Sequence, residues 1–275
     1  MGGPPKVTPA GDVELQTAIA QAPRQLGRPF SIWTCLELAR HLRDKGLAYV
    51  TDETVRRHLH DLGYRVLRPV LSVSSPDPDY ATKAARLADC QEQARQGKLI
   101  LLYEDEFDLN LLPSVLRCWT LRGQQRKIPT PGKNVKRYGF GAVNFISGQL
   151  THRIGDHKNS DEFCALIEQI VQEYCPGDAY TGPKVGLVVD NFIIHHSQKT
   201  QAVLAQYADR LTLVPLPTYA PKLNVIELLW KHLRRKVTHN HLFESIDQLV
   251  MAVNQFLHTM NEHRTELLSV LGCSG

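Results

Sequence analysis

The stretch VGLVVDNFIIHHS, residues 185–197, decides how the rest of the sequence is interpreted. It begins with five residues typical of a buried strand and continues with Asp190 and Asn191. A carboxylate at the end of a core strand is costly to remove from water unless a partner or a bound ion compensates its charge. The stretch therefore predicts a core strand that ends at a functional site.

A second stretch, KLILLYEDE at residues 98–106, ends in the same way. Its run of core-type residues is typical of a strand buried on both faces, and Asp105 lies at its end between Glu104 and Glu106. Because side chains alternate along a strand, Glu104 and Glu106 are expected on the face opposite Asp105. Two strands are thus predicted to present an aspartate at their carboxyl ends.

The composition excludes several classes of protein. The chain has 275 residues, of which 43% are hydrophobic and 22% charged, and it has no apolar run near the roughly 20 residues of a membrane span. Its first twelve residues lack the apolar core of a signal peptide. The six cysteines include no Cys-x-x-Cys pair, so neither a disulfide framework nor a zinc knuckle is predicted. We expect a cytoplasmic protein with no membrane association.

A joint rich in proline and serine, RPVLSVSSPDPDY at residues 68–80, divides the chain. We predict a helix-turn-helix domain at residues 1–67, a linker and helix at 68–97, an α/β domain at 98–262 and a tail at 263–275.

Two helical patterns precede this joint. SIWTCLELARHLRDKG, residues 31–46, places Trp33 in an apolar stripe, with Ser31 as N-cap and Gly46 as the end. TDETVRRHLHDLG, residues 51–63, repeats the design and exposes polar side chains: Thr54, Arg56, Arg57, His58 and His60. The pair matches a helix-turn-helix whose second helix enters the DNA major groove, with YRVLRPVLSV as a wing or arm. A helical hairpin that binds nothing fits the same pattern.

A long basic segment follows the first strand. Residues 109–155 contain eight basic side chains and no Asp or Glu. Such a segment predicts a surface for a polyanion, although a solvated basic face without a partner is also possible. The candidate contacts are Arg117, Arg122, Lys133, Lys136 and Arg137.

The order of elements after residue 98 predicts a ribonuclease H-like α/β fold, a mixed five-stranded sheet with flanking helices. Three antiparallel strands, with a hairpin turn at Ser147-Gly148, precede a helix at residues 160–174, the strand ending at Asp190, a helix at 197–207 and a last strand in RLTLVPL. In this fold the first and fourth strands are parallel neighbours. Asp105 and Asp190 then emerge at adjacent carboxyl ends, where open α/β sheets place their sites.

A third acid lies in the helical segment NVIELLWKHLRRKV. Its apolar stripe predicts packing on the sheet, and Glu227 lies close enough to the stripe to reach the sheet's edge. Individually, Asp105 fits a strand-end turn, Asp190 a helix cap and Glu227 an ion pair with Lys231. Together the three offer hard oxygen ligands, which favour Mg²⁺ or Mn²⁺ over zinc.

The blocks LLYEDE, VVDNFIIHHS and LPTYAPKLNVIELLWKHLRR resemble the three catalytic blocks of the DDE transposases of the Tc/mariner superfamily, in its bacterial insertion-sequence branch. The resemblance extends from about Trp33 to Phe256. It implies metal-dependent DNA cleavage and strand transfer with Mg²⁺ or Mn²⁺, acting on terminal inverted repeats and target DNA, with a homodimer in the DNA complex. The implied ligands are Asp105, Asp190 and Glu227, with Glu106, Asn191 and His195 in support.

Two departures from the family accompany the resemblance. Members of this branch usually carry two helix-turn-helix units, whereas here the first is expected to be missing or reduced to DVELQTAIAQAPRQLG, and Val225 replaces a proline before Ile226. Two other functions remain open: a ribonuclease H-like nuclease without strand transfer, and a non-catalytic DNA-binding protein derived from a transposase.

Overall fold

The structure is a computed structural model that describes residues 7–67, 75–115, 119–130, 132–177 and 179–273. The chain divides into two compact units, Met1–Ser72 and Val73–Gly275, here called the helical unit and the sheet unit. No helix in these described ranges combines the length and the apolar character needed to cross a membrane. The five described cysteines are free thiols.

The helical unit contains three α-helices around one small core. These are α1 (Pro9–Ile19), α2 (Cys35–Asp44) and α3 (Asp52–Asp61), with a 3₁₀ turn at Pro23–Leu26. Leu15 of α1, Leu42 of α2 and Val55 of α3 are fully buried in the same cluster. The segment DVELQTAIAQAPRQLG therefore contributes a helix to the core that supports the predicted helix pair.

The ends of this helix pair test the capping predictions. The Thr51 hydroxyl accepts from the Thr54 N–H at the start of α3. The prediction of Ser31 as the N-cap of α2 is wrong, because Thr34 accepts from the Glu37 N–H and the helix begins after it. Trp33 consequently precedes the helix and packs against the core from its side. Residues 7–67 contain no strand, and most of the predicted wing lies outside the described residues.

The sheet unit is built on a five-stranded mixed sheet in the order β3-β2-β1-β4-β5. The strands are β1 (Leu99–Asn110), β2 (Lys136–Asn144), β3 (Leu150–Gly155), β4 (Lys184–Val189) and β5 (Leu211–Pro215). β2 is antiparallel to both β1 and β3, whereas β4 is parallel to both β1 and β5. The predicted ribonuclease H-like order, with parallel first and fourth strands, is confirmed.

Helices cover both faces of this sheet. They are α4 (Tyr80–Arg95), α5 (Ser160–Tyr174), α6 (Gln198–Gln206), α7 (Ile226–Leu233), α8 (Ile246–Glu262) and α9 (Arg264–Val270). On one face, called the front, Leu101 and Tyr103 of β1 pack with α4, α7, α8 and α9. On the reverse face Leu102 packs with α5 and α6.

Two segments outside the predicted α/β domain at 98–262 pack on its sheet. The expected tail at residues 263–275 contains α9, whose Leu267 is fully buried in the front core, followed by the equally buried Leu271. The expected linker and helix at 68–97 includes α4, whose Leu87 and Ala94 belong to the same core. Both segments cover the front of the sheet, because without them its apolar residues would face water.

Candidate active site

The three predicted acids line one open cavity of about 520 Å³ at the carboxyl ends of the parallel strands. Asp105 comes from β1, Asp190 directly follows β4, and Glu227 lies in the first turn of α7. The loop of residues 216–221, together with Asn191, Phe192 and Asn224, forms the rest of the wall. The structure thus brings together three side chains that are spread over more than 120 residues of the chain, from position 105 to position 227.

Asp105 is half-buried and lies opposite Gly141 of the neighbouring strand. Burial, followed by the nearby negative charges of Glu106, Glu227 and Asp190, raises the pKa of Asp105 to about 7. The carboxyl group is therefore poised to exchange its proton for a cation near neutral pH.

Asp190 is exposed at the end of β4, and the chain around it is held by hydrogen bonds. Its Oδ1 accepts from the Phe192 N–H at 2.9 Å, and its backbone oxygen accepts from His195 Nδ1 at 3.0 Å. A 3₁₀ turn at Ile193–His196 places His195 under the strand end, where it is buried. This turn fixes the backbone that carries the Asp190 carboxylate.

Glu227 reaches the cavity because α7 packs directly on the sheet. A Cβ added to Gly141 would lie 2.6 Å from Trp230 Cη2, so only glycine allows the indole to approach this closely. Just before α7, Asn224 Nδ2 donates to the Glu104 backbone oxygen at 2.8 Å and ties the helix start to β1. Burial raises the pKa of Glu227, although Arg234 and Lys231 oppose the effect.

The negative charge of these acids and the ligand type of their oxygens fit a divalent cation. None of Asp105, Asp190 and Glu227 forms a salt bridge with a described lysine or arginine. Burial and mutual repulsion raise the pKa of Asp105, as expected for crowded carboxylates without a compensating positive charge. Carboxylate oxygens are preferred ligands of Mg²⁺ and Mn²⁺, and these side chains would hold such an ion.

The two glutamates beside Asp105 point the other way, as strand alternation predicts. Glu104 and Glu106 are buried on the reverse face, where they meet His195. His195 Nε2 lies 3.5 Å from Glu104 Oε2 and 3.3 Å from Glu106 Oε1. Lys158 Nζ lies 3.6 Å from Glu106 Oε2. Asn191, the third predicted supporting residue, lines the cavity itself and hydrogen-bonds His196 through its Oδ1.

The predicted DNA contacts differ in their charge environment. In α3, Arg56 and Arg57 are exposed, and both form salt bridges with Glu53, while Thr54 and His60 lie on the same short helix.

The candidate contacts of the basic segment at residues 109–155 differ among themselves. Three of them are exposed and form no salt bridge with a described acid: Arg122, Lys133 and Lys136. Arg137 is paired with Asp156 at 2.8 Å, and Arg117 lies outside the described residues.

Sequence reasoning assigned no role to several side chains near the acids. Four basic residues follow Glu227 on α7 and the π-helical turn Arg234–Thr238, and they are exposed without a salt bridge to a described acid: Lys231, Arg234, Arg235 and Lys236. The KHLRRK run at residues 231–236, shortly after the third acid, was the available signal. For Asn224 and Glu104 the sequence carried none, because their contacts join segments 120 residues apart.

Comparison with known proteins by sequence identifies a family and a relative. Residues 100–250 match a family model described as DDE superfamily endonuclease. A protein of Shigella sonnei named "Insertion element IS630 uncharacterized 39 kDa protein" is 31% identical over 249 residues, which is 90% of this chain and 70% of that protein.

Solved structures of Mos1 transposase share the fold. A paired-end complex with the left transposon end matches with a TM-score of 0.65 and 15% identity over 99% of this chain and 81% of that chain. The mariner Mos1 paired-end complex with Mg matches with a TM-score of 0.67 and 15% identity over 99% of this chain and 79% of that chain.

Proposed function

The chain belongs to the DDE superfamily of endonucleases, in the IS630 branch of the Tc/mariner-type transposases, and from this premise we propose that it cleaves DNA at the ends of an insertion element and joins those ends to target DNA. The observation that carries the proposal is the single cavity in which Asp105, Asp190 and Glu227 meet without a salt bridge to a described lysine or arginine. The transposon end and the Mg of the Mos1 complexes support the same substrate and cation for this chain.

The three acids would hold the ions together. We propose that Asp105 on the central strand, Asp190 and Glu227 would bind divalent cations in the cavity that all three line. Two divalent ions in such a site activate a nucleophilic oxygen and neutralise the leaving oxygen of a phosphodiester. The chain itself supplies rigidity, because His195 fixes the backbone of Asp190 and Asn224 fixes the start of α7 to β1.

The same site serves two successive displacements at phosphorus. In the first, water attacks a phosphodiester at the element's end, the P–O bond to the 3′ oxygen breaks, and that oxygen leaves as a 3′-hydroxyl after taking up a proton. In the second, this 3′-hydroxyl attacks a phosphodiester of the target and displaces its 3′ oxygen, so the number of phosphodiester bonds is conserved. Both displacements would use the same three carboxylates of the front cavity.

Basic side chains of both units would hold the DNA. We infer that α3 enters a groove and that Arg122, Lys133 and Lys136 contact the phosphate backbone, because they are exposed and have no acidic partner in the described ranges. Arg234, Arg235 and Lys236 lie on the turn that continues α7, and so belong to the surface nearest the third acid. A homodimer on paired terminal inverted repeats, acting in the bacterial cytoplasm, completes the proposal.

The proposal is tested with two DNA substrates. The full chain is incubated with Mn²⁺ and an oligonucleotide that carries the element's terminal repeat, and separately with the same end already cut and a target plasmid. We expect nicking of the first and covalent joining of the second, both absent in Glu227→Gln. Nicking without joining would indicate a nuclease, and DNA binding with neither reaction would indicate a non-catalytic DNA-binding protein.

A further inference from the structure

The reverse face of the sheet, directly behind Asp105, contains a buried cluster of Glu104, Glu106 and His195. Glu104 is completely buried and His195 is 1% exposed. Both carboxylate oxygens of Glu104, together with Glu106 Oε1 and His195 Nε2, have no hydrogen-bond partner among the described residues. Buried polar atoms are almost always hydrogen-bonded, and four unpartnered atoms that face each other are a marked departure. The function proposed for the front cavity gives them no role.

The tautomer of His195 is fixed by its other nitrogen. Nδ1 lies 3.0 Å from the Asp190 backbone oxygen, and because a carbonyl oxygen only accepts, Nδ1 must carry the proton. In the neutral ring that metal binding requires, Nε2 therefore carries the lone pair and directs it at the two glutamates. A histidine that ligates a metal usually donates its second N–H to a backbone carbonyl or a carboxylate in this way. The ring is further held against Phe163, at 4.5 Å between centroids.

The two separations from His195 Nε2 to the glutamate oxygens match those between ligands of one cation. Nε2 lies 3.5 Å from Glu104 Oε2 and 3.3 Å from Glu106 Oε1, and the three ligand atoms all lie within 4.8 Å of one another. Zinc–ligand bonds of about 2.0–2.2 Å at tetrahedral angles separate neighbouring ligand atoms by about 3.3–3.6 Å. Hydrogen bonds of nitrogen to oxygen are shorter, at about 2.9–3.0 Å.

The negative charge of the two buried carboxylates also favours a bound cation. Two buried carboxylates face one imidazole, and the nearest described lysine is Lys158, whose Nζ lies 3.6 Å from Glu106 Oε2. Lys158 compensates at most one of the two negative charges, and its described ion pair and ring contact do not reach Glu104. A buried carboxylate without a partner is strongly unfavourable. A divalent cation would compensate Glu104 and the remaining charge together.

We propose that Glu104, Glu106 and His195 bind a divalent transition-metal cation, with Zn²⁺ the best match to one imidazole and two carboxylates in tetrahedral spacing. This site is separate from the front cavity, whose all-oxygen ligands favour Mg²⁺ or Mn²⁺. Its ligands flank Asp105 on β1 and follow Asp190 after β4. The cation would therefore join the two strand ends from behind and keep the front aspartates at a fixed separation.

The test measures metal content instead of DNA cleavage. The full chain is expressed with zinc, dialysed against metal-free buffer and analysed by mass spectrometry for bound Zn²⁺. We expect about one Zn²⁺ per chain in the wild type and in the double variant Asp105→Asn/Glu227→Gln, which removes front ligands only. Co²⁺ added to the zinc-free chain should give the strong visible absorption of a tetrahedral site, and Zn²⁺ should displace it.

Variants of Glu104 and His195 test whether these side chains bind the metal. Glu104→Gln and His195→Asn should each weaken Co²⁺ and Zn²⁺ binding at least about tenfold, whereas the matched control His196→Asn, an exposed neighbour, should bind as the wild type does. Circular dichroism checks that each variant folds. If both fail to fold, the zinc content of the front double variant decides alone. Absence of zinc from that variant, or undiminished binding by folded Glu104→Gln, would overturn the proposal and leave the function of the front cavity untouched.

Discussion

The acids of the front cavity and Glu53 of α3 have opposite surroundings. Asp105, Asp190 and Glu227 form no salt bridge with a described lysine or arginine. Glu53 is exposed and pairs with both Arg56 and Arg57, and their hydrogen bonds lower the pKa of its carboxyl to about 2. An exposed pair of this kind is satisfied within the protein and contributes little to stability. Acids that converge without a partner instead indicate where the charge of a ligand is missing.

The largest loss of DNA cleavage is expected when one acid of the front cavity loses its charge. Asp190→Asn keeps the shape of the side chain but removes its charge, so cleavage with Mn²⁺ should fall on the order of 10³-fold, the scale of losing a principal charge-stabilising group. DNA binding, measured by fluorescence anisotropy, should stay near the wild-type value because the substitution leaves every basic side chain in place. Full cleavage by Asp190→Asn would contradict a metal ligand at this position.

The neighbouring acids of β1 sharpen the contrast within a single strand. Asp105 faces the cavity, whereas Glu106 is buried behind the sheet beside His195 and Lys158. Asp105→Asn should therefore abolish cleavage, while Glu106→Gln should lower it by about 10–100-fold, as is typical for groups that support a ligand. Rates of nicking at saturating Mn²⁺ give the order. Greater damage from Glu106→Gln would move the ligand by one position.

How much of this was predictable depends on whether a contact is local or distant. Runs of apolar residues before Asp105 and Asp190 predicted the strands, and their order predicted that both meet at one edge. The cap of α2 was predicted incorrectly, because Ser31 and Thr34 are both good caps and only the bond from the Glu37 N–H distinguishes them. The stripe of Leu267 and Leu271, one helical turn apart, was a missed signal for α9.

Contacts across the sheet lay beyond sequence reasoning. Alternation predicted that Glu104 and Glu106 share a face, but their burial results from α5 and the turn at Ile193–His196, which are distant in sequence. The same holds for the Asn224 contact to β1. In each case the residue type was visible, while its partner depended on how the helices cover the sheet.

The raised pKa of Asp105 predicts how metal binding depends on pH. Its value of about 7 in the folded chain exceeds the ordinary 3.8, so below pH 7 a bound proton must leave before a cation binds. Apparent Mn²⁺ affinity should rise about tenfold per pH unit up to pH 7 and then level off. Calorimetric titration between about pH 5 and 8 measures this, and Asp105→Asn should remove the steep part.

The same shift predicts the stability of the metal-free chain. Because the pKa is higher folded than unfolded, the folded state keeps a proton that the unfolded chain has released, and stability is lost as pH rises from about 4 to 7. Added Mn²⁺ should restore it, so the increase in Tm with Mn²⁺ should be larger at pH 8 than at pH 6. An equal increase at both values would contradict an Asp105 that gives up its proton to the metal.

The paired arginines of α3 should show a smaller and sequence-dependent effect. If Arg57 exchanges Glu53 for a base edge, Arg57→Ala should weaken binding to the terminal repeat by about 1–3 kcal/mol and random DNA much less. Glu53→Gln releases both arginines and should strengthen binding to all DNA, because it removes a negative charge from the same surface. Competition between repeat and scrambled DNA at fixed salt measures both. Equal weakening on the two DNAs after Arg57→Ala would assign that residue to the backbone.

The lysines of the sheet unit should show the smallest effect. Lys133 and Lys136 have no described acidic partner, so each is available to a phosphate, whereas Arg137 is already paired with Asp156. Replacing Lys133 or Lys136 by Ala should weaken repeat and random DNA alike and reduce the slope of log affinity against log salt by about 0.9 for each phosphate that the protein no longer neutralises. Arg137→Ala is the matched control, and its slope should change less because this guanidinium binds Asp156 instead of a phosphate. If Arg137→Ala reduces the slope as much as Lys133→Ala does, then pairing in the free protein does not predict which side chains meet the DNA, and the contrast between paired and unpaired charge holds only for the acids.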